Sequence, residues 1–185
     1  MATDCRWIEC RERWPVKTVY LLRHAKSSWG DTALPDIERP LNTRGERDAP
    51  RMGAALGERY SPMTFNVSPA ARAQATFAGI QTAWPGLLAE QGRTEGALYT
   101  FDYRKLLAWI EGQSDEASAL ALIGHNPALT ELIHYFAGPA DLAHLPTAGW
   151  AELRIDMECW SWVNLARGCG ELVYSLVPRT LREAE

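Results

Sequence analysis

Short runs of β-branched and apolar residues alternate along the chain with segments whose apolar residues recur at helical spacing. Residues 18–22 (TVYLL) and 119–123 (ALALI) are continuous apolar runs of the kind found in strands buried on both faces. Residues 64–67 read as another strand, and 151–156 and 171–177 are strand candidates further along. Between them, residues 70–84 place Ala73, Phe77, Ile80 and Trp84 on one side of a helix, introduced by Ser68 as N-cap and Pro69 at the first helical position. Asp102 is placed to cap a helix bearing Leu106, Leu107 and Ile110, closed by Gly112. Asn126-Pro127 opens a helix through Leu129, Leu132, Ile133 and Phe136 to Gly138. Thr43 and Glu46 have capping-box spacing, but Pro50 would then lie inside the helix. The pattern therefore predicts a broken start, recapped by Asp48 near Ala49-Pro50, with Met52, Leu56 and Tyr60 forming one apolar face. Residues 31–42 and 140–149 are the most loop-like, and no repeat interrupts the series. Strands alternating with helices predict an α/β fold: a single-domain three-layer sandwich whose central, mainly parallel sheet is flanked by helices.

Composition narrows the classes of function. A length of 185 residues fits one domain. Residues 1–16 mix charge with Trp7 and Trp14 at no clear period, and Pro15 separates them from the first periodic run. They are expected to be an appendage to a domain over 17–185, with the biological start near Val16; the alternative is that Trp7 and Trp14 pack onto the domain. A net charge of −4 lacks the basic footprint of sequence-independent nucleic-acid binding, so no nucleic-acid partner is expected. No apolar run approaches the roughly 20 residues of a membrane span, and Asp4, Glu9 and Glu12 stand where a signal peptide needs an apolar core. A cytoplasmic location without membrane attachment is expected. Cys5, Cys10, Cys159 and Cys169 form no C-x-x-C pair and read as free thiols.

Chemistry concentrates at the junctions. Arg23-His24 follows the first predicted strand, Arg72 lies just inside the helix after the second, and His125 follows the 119–123 strand. In open α/β sheets, ligands bind outside the carboxyl ends of the strands, where parallel strands would bring these junctions together. Two guanidiniums, two imidazoles and two helix N-termini suit a dianionic tetrahedral group, because arginine grips phosphate oxygens bidentately and helix N-termini offer unpaired N–H donors. His134 and His144 lack such context and read as surface or core residues. The histidines and cysteines have no zinc-ligand spacing.

Four motifs occur in order: Leu22-Arg23-His24-Ala25-Lys26-Ser27-Ser28-Trp29, Arg39-Pro40-Leu41-Asn42-Thr43-Arg44-Gly45, Ser68-Pro69-Ala70-Ala71-Arg72-Ala73 and Gly124-His125-Asn126-Pro127. Together they resemble the histidine phosphatase superfamily, and more narrowly its short SixA-type phosphohistidine phosphatase branch. The likeness runs from Thr18 to about Pro178. It implies a phosphoglycerate mutase-like fold and a metal-independent phosphatase that uses no cofactor. His24 would take the phosphoryl group as nucleophile, Arg23 and Arg72 would bind its oxygens, and His125 would supply the remaining contact. A neutral imidazole must attack, and a histidine with the ordinary pKa of ~6.5 has a usable neutral fraction near pH 7. Ala25 stands where the broader superfamily usually has glycine.

The leaving-group acid is less determined. Many superfamily members supply a carboxylate from another segment, where this chain has Leu98-Tyr99. Asp36, in an Asp-x-x-Arg-Pro-Leu setting that matches the short branch, is the first candidate; the competing reading is an exposed loop carboxylate. Arg39 is a candidate substrate contact. Lys26, Ser27 and Ser28 follow the nucleophile as candidate pocket residues, and Trp29 as a roof; Trp29, Trp150, Trp160 and Trp162 fit core or lid roles equally. The partner implied is a phosphorylated protein carrying phosphohistidine. A small phosphate ester, or a non-catalytic adaptor that only binds phosphate, stands as the alternative. Oligomeric state is not specified by the sequence.

Overall fold

The strand at the centre of the molecule is one that arrives late in the sequence. The computed structural model describes residues 16–139 and 142–181. In chain order it contains β1 (Val16–Arg23), α1 (Thr43–Gly57), β2 (Phe65–Val67), α2 (Ala71–Ala83), β3 (Gly92–Thr94), α3 (Tyr103–Glu111), β4 (Ala119–Gly124), α4 (Ala128–Ala137), β5 (Trp150–Asp156) and β6 (Gly170–Leu176). The six strands form one sheet in the order β3-β2-β4-β1-β5-β6. The first four are parallel; β5 runs antiparallel to β1, and β6 antiparallel to β5. The mainly parallel α/β sandwich expected from the pattern is therefore present, with an antiparallel margin. Residues 1–15, most of the expected appendage including Cys5, Cys10, Trp7 and Trp14, lie outside the described residues; Val16 opens β1.

The period-2 geometry of β1 divides the core. Val19 and Leu21 face a cluster closed by Leu106, Leu107 and Ile110 of α3 and Leu129, Leu132, Ile133 and Phe136 of α4. Leu22, with Phe65, Val67, Ala121 and Ile123, faces a second cluster closed by Ala49, Met52 and Leu56 of α1 and Ala73, Phe77 and Ile80 of α2. Each fully buried Leu, Ile or Phe contributes about 1.5–3 kcal/mol relative to exposure, so both faces stabilise the same sheet. Among the described residues, no helix is long and apolar enough to cross a membrane.

Three sequence expectations are corrected. The start of α1 is unbroken: Asn42 is its N-cap, accepting the Gly45 amide at 3.0 Å, and Pro50 lies inside the helix. Asp48 does not cap. Its buried carboxylate accepts from Arg44 and Arg47 and pairs with Arg51. Proline is accommodated because α1 is fixed by packing on α2, where small residues let the helices close: a Cβ on Gly53 would stand 2.3 Å from the Ile80 carbonyl oxygen. Ser68 is not the N-cap of α2 either. That position is Ala70, and the serine hydroxyl, which accepts the Ala70 amide at 3.4 Å, reaches no amide inside the helix. Finally, β3 escaped the sequence reading because a Gly-Arg-Thr strand at a sheet edge carries no hydrophobic period.

Candidate active site

The parallel register of β1, β4 and β2 sets their carboxyl ends level. Arg23 pairs with Gly124, and Ile123 is flanked by Leu22 and Val67. One residue further along β1 and β4, His24 and His125 leave the sheet together, with ring centroids 5.0 Å apart and planes at 53°. Arg72, the second residue of α2, reaches between them. Its Nε–H donates to His24 Nε2 at 3.3 Å, and its NH2 group lies 3.3 Å from His125 Nδ1.

These bonds fix both tautomers. An arginine only donates, so both ring nitrogens facing Arg72 carry lone pairs. The His24 proton is then on Nδ1, which donates to the Ala25 carbonyl at 2.7 Å, and the His125 proton is on Nε2, which donates to the Ser68 hydroxyl at 2.8 Å. Burial opposes charge on the His24 ring; the Ala25 carbonyl pulls the other way, but the charges of Arg72, Arg23 and Arg39 add to burial, and the pKa falls to about 4. His125 is lowered to about 3 by burial first, then by His24 and Arg72, against a raising contribution from Asp36. Both imidazoles are neutral near pH 7, although guanidiniums surround them.

Arg23 is held differently. Its NH1 donates to the Leu145 carbonyl at 3.0 Å, while its buried Nε has no hydrogen-bond partner, and burial lowers its pKa. The segment after α4 closes this side. Leu145 also accepts from Asn126 Nδ2, Ala148 donates its amide to the His24 carbonyl at 3.2 Å, and Gly149 accepts the Arg23 amide. Ala148 does so at φ 55, a left-handed conformation that a residue with a Cβ rarely adopts.

On the other side, Asp36 lies on a short 3-10 turn (Asp36–Glu38). Its Oδ2 accepts from Arg72 NH2 and from the Tyr99 hydroxyl, each at 2.8 Å, and its Oδ1 pairs with Arg39 NH2 at 2.7 Å. Arg72 NH1 donates to the Asp36 backbone carbonyl. Partial burial favours the protonated carboxyl, but the Tyr99 and Arg72 hydrogen bonds and the charges of Arg72 and Arg39 outweigh it, and the pKa is lowered. An ionised, paired carboxylate holds no proton for a leaving group, so the proton-donor role expected of Asp36 has no electrostatic support here. Arg39 is buried under the exposed ring of Trp29, with Cζ 3.7 Å from the ring centroid.

Ser27 and Ser28 serve the loop. Ser27 bridges Leu41, and Ser28 donates its amide to the Pro40 carbonyl while its hydroxyl accepts from Gly30. Lys26 is exposed, and its carbonyl accepts the Asn42 amide. Two contributors act through partners that the sequence did not indicate. Ser68 orients His125 from 57 residues away. Tyr99 holds Asp36 from 63 residues away and packs edge-on against His125 at 5.5 Å, beside the half-exposed Phe101. Among the described residues, no group of three or more His, Cys, Asp or Glu side chains is arranged to hold a metal ion.

Known proteins resemble this chain in sequence or in fold. The sequence model of the histidine phosphatase superfamily (branch 1) matches residues 19–94. A protein of Agrobacterium tumefaciens assigned as the phosphohistidine phosphatase SixA is 28% identical, with a TM-score of 0.71 over 88% of this chain and 98% of its own. A phosphoglycerate mutase of Bacillus anthracis, 14% identical, shares the fold alone, with a TM-score of 0.62 over 82% of this chain and 96% of its own. An uncharacterized chloroplastic protein of Arabidopsis thaliana is 27% identical over 136 residues, 66% of this chain; the match spans 60% of that relative's length. The family match covers the stretch that delivers Arg23, His24 and Arg72, and the structural likeness carries the rest of the sheet, so this chain is similar to the histidine phosphatase superfamily over its first half and to SixA-type structures over most of its length.

Proposed function

We propose that the protein is a cytoplasmic, metal-independent phosphatase that removes phosphoryl groups from protein phosphohistidine through a covalent intermediate on His24. The observation that carries this reading is the guanidinium of Arg72 set between two neutral imidazoles, with the His24 Nε2 lone pair directed at it. Buried within hydrogen-bond reach of a fixed cation, that nitrogen is a nucleophile poised beside an oxyanion grip, needing no separate base.

In the first step Nε2 attacks phosphorus, the Nε2–P bond forms, and the bond to the leaving nitrogen or oxygen breaks with its electron pair. Positive charge develops on the ring and is shared with the Nδ1–H donated to the Ala25 carbonyl. Arg72, Arg23 and His125 are assigned to the phosphoryl oxygens. In the second step water attacks phosphorus, the Nε2–P bond breaks, inorganic phosphate leaves with the water oxygen, and neutral His24 is restored. A phosphohistidine leaving group supports the assignment chemically. Asp36 is ionised and His125 neutral in this site, and an imidazole departs with less protonation than an alkoxide. The likeness to the Agrobacterium protein supports the same substrate class.

The test is incubation with phosphohistidine protein, an aryl phosphate and sugar phosphates, trapping the acid-labile, base-stable label on the enzyme. Label that disappears in His24→Ala, with fastest turnover on phosphohistidine, is the expected outcome. Faster turnover of small esters assigns a small-molecule phosphomonoesterase instead. Tight phosphate binding with neither label nor turnover assigns an adaptor.

A further inference from the structure

Arg72 is the guanidinium assigned above to the phosphoryl group, and it is already occupied by an anion. Its side chain is 1% exposed, its NH1 donates to the Asp36 carbonyl and its NH2 to the Asp36 carboxylate at 2.8 Å. A phosphoryl oxygen seeking NH2 meets a carboxylate oxygen in its place. That carboxylate is movable: the Asp36 side chain is 43% exposed, on a turn of three residues in a long loop. It also has somewhere to go. Arg39 pairs with the other carboxylate oxygen through NH2 at 2.7 Å, and its buried Nε and NH1 have no hydrogen-bond partner.

Buried N–H groups left unmatched are costly, and one charge-assisted hydrogen bond to a free guanidinium donor replaces the bond lost at Arg72. We infer that Asp36 is a positioning residue that stands in for the phosphoryl group on Arg72 and passes to the idle donors of Arg39 when substrate enters. Asp36 keeps the buried Arg72 guanidinium paired and aimed between the two imidazoles in the resting enzyme. Arg39 receives the carboxylate, and the Tyr99 hydroxyl, bound to the same oxygen as Arg72, steadies it during the exchange. Trp29, stacked on Arg39, covers the receiving donors from solvent. Oxyanion affinity is then set by competition between two anions for one guanidinium. This rests on the reading of Arg72 as the phosphate grip and goes beyond it in giving Asp36 and Arg39 a joint role away from the substrate.

The experiment is a double-mutant cycle on the full chain, reading inorganic phosphate binding by calorimetry and kcat and KM with an aryl phosphate. Asp36→Asn frees Arg72 and is expected to tighten phosphate binding about tenfold, the low end of what one charge-assisted hydrogen bond is worth. Arg39→Gln leaves the carboxylate on Arg72 and is expected to weaken phosphate binding and raise KM by about the same factor, with the smaller effect on kcat. In the Asp36→Asn background, Arg39→Gln is expected to change phosphate binding by less than about twofold, because no carboxylate remains to be received. Thermal melting confirms that each variant is folded, and Asp36→Ala repeats the first arm without an amide. Equal weakening by Arg39→Gln in both backgrounds overturns the inference, since Arg39 would then touch phosphate directly. So does weaker binding in both Asp36 variants, or a collapse of kcat at constant KM in Asp36→Asn. Wild-type protein that binds no phosphate overturns the reading of Arg72 itself; binding without coupling overturns only the exchange.

Discussion

The hydroxyl of Thr76 accepts the Ala25 amide at 2.9 Å and donates to the Arg72 carbonyl at 2.6 Å. One buried side chain thus ties the turn that carries His24 to the first turn of the helix that carries Arg72. Thr76→Val keeps the shape and removes both bonds, leaving the Ala25 N–H unmatched in a fully buried position. A loss of about 1–3 kcal/mol in denaturant unfolding is expected. With it should come a fall in kcat larger than any change in KM, because the two groups lose their mutual alignment. Unchanged stability and kcat would show that packing alone holds the junction.

The depressed imidazole pKa values make an acid-side prediction. With His24 at about 4, the neutral nucleophile persists well below the ordinary histidine value, so kcat/KM with an aryl phosphate should keep its His24 limb near pH 4. A limb near 6.5 instead, retained in His125→Gln, would contradict the buried, neutral ring.

The same shifts bear on stability with a definite sign. Each folded-state value lies below the ordinary 6.5, so on acidification the unfolded chain takes up the proton first. Their contribution is whole above about pH 6.5 and is lost as pH falls toward 4 for His24 and 3 for His125. In that window each ring contributes a slope approaching 1.4 kcal/mol per pH unit. Urea unfolding at pH 7, 6, 5 and 4.5 measures it. His125→Gln should flatten the slope, and a curve as steep as wild type would remove His125 from the account.

Arg72 cannot be replaced by its nearest relative. Lysine presents a point charge on a flexible stem and cannot address His24, His125 and an oxyanion at once. Arg72→Lys is expected to lower kcat by on the order of 10²–10³, by analogy with losing one oxyanion donor. Steady-state kinetics alongside a circular dichroism spectrum checks it; kcat within a factor of about ten of wild type would place the oxyanion grip elsewhere.

The crossing of α1 and α2 gives a test of the scaffold. Gly53→Ala sets a methyl 2.3 Å from the Ile80 carbonyl oxygen, which forces the two backbones apart. A cost of about 1–3 kcal/mol is expected in denaturant unfolding, the usual range for overpacking, despite alanine's better helix propensity. A neutral or stabilising result would mean that the helices part freely.

What could be read from the sequence was what short-range chemistry decides. The runs TVYLL and ALALI become β1 and β4, and Asp102 and Gly112 bound α3 as expected, because apolar continuity and caps act within a few residues. The motif histidines and arginines converge as the junction argument requires. Long-range partners could not be read. Ser68 has the local signature of a helix cap, and only the fold reveals that His125 claims its hydroxyl. Tyr99 stands where a carboxylate was sought, and its relation to Asp36 exists only after two loops meet. Pro50 misled for the complementary reason: local propensity disfavours it, while the contact between α1 and α2 outweighs that preference.

The position of β4 has a consequence for how the chain reaches this state. It lies between β1 and β2, yet about a hundred residues separate the start of β1 from the start of β4 along the chain, so the two earlier strands must stay unzipped until the later one inserts. Closing so large a loop before any reward is collected slows assembly and leaves apolar edges open meanwhile. A nascent chain halted before Ala119 should remain protease-sensitive, maturing only when that middle rung emerges.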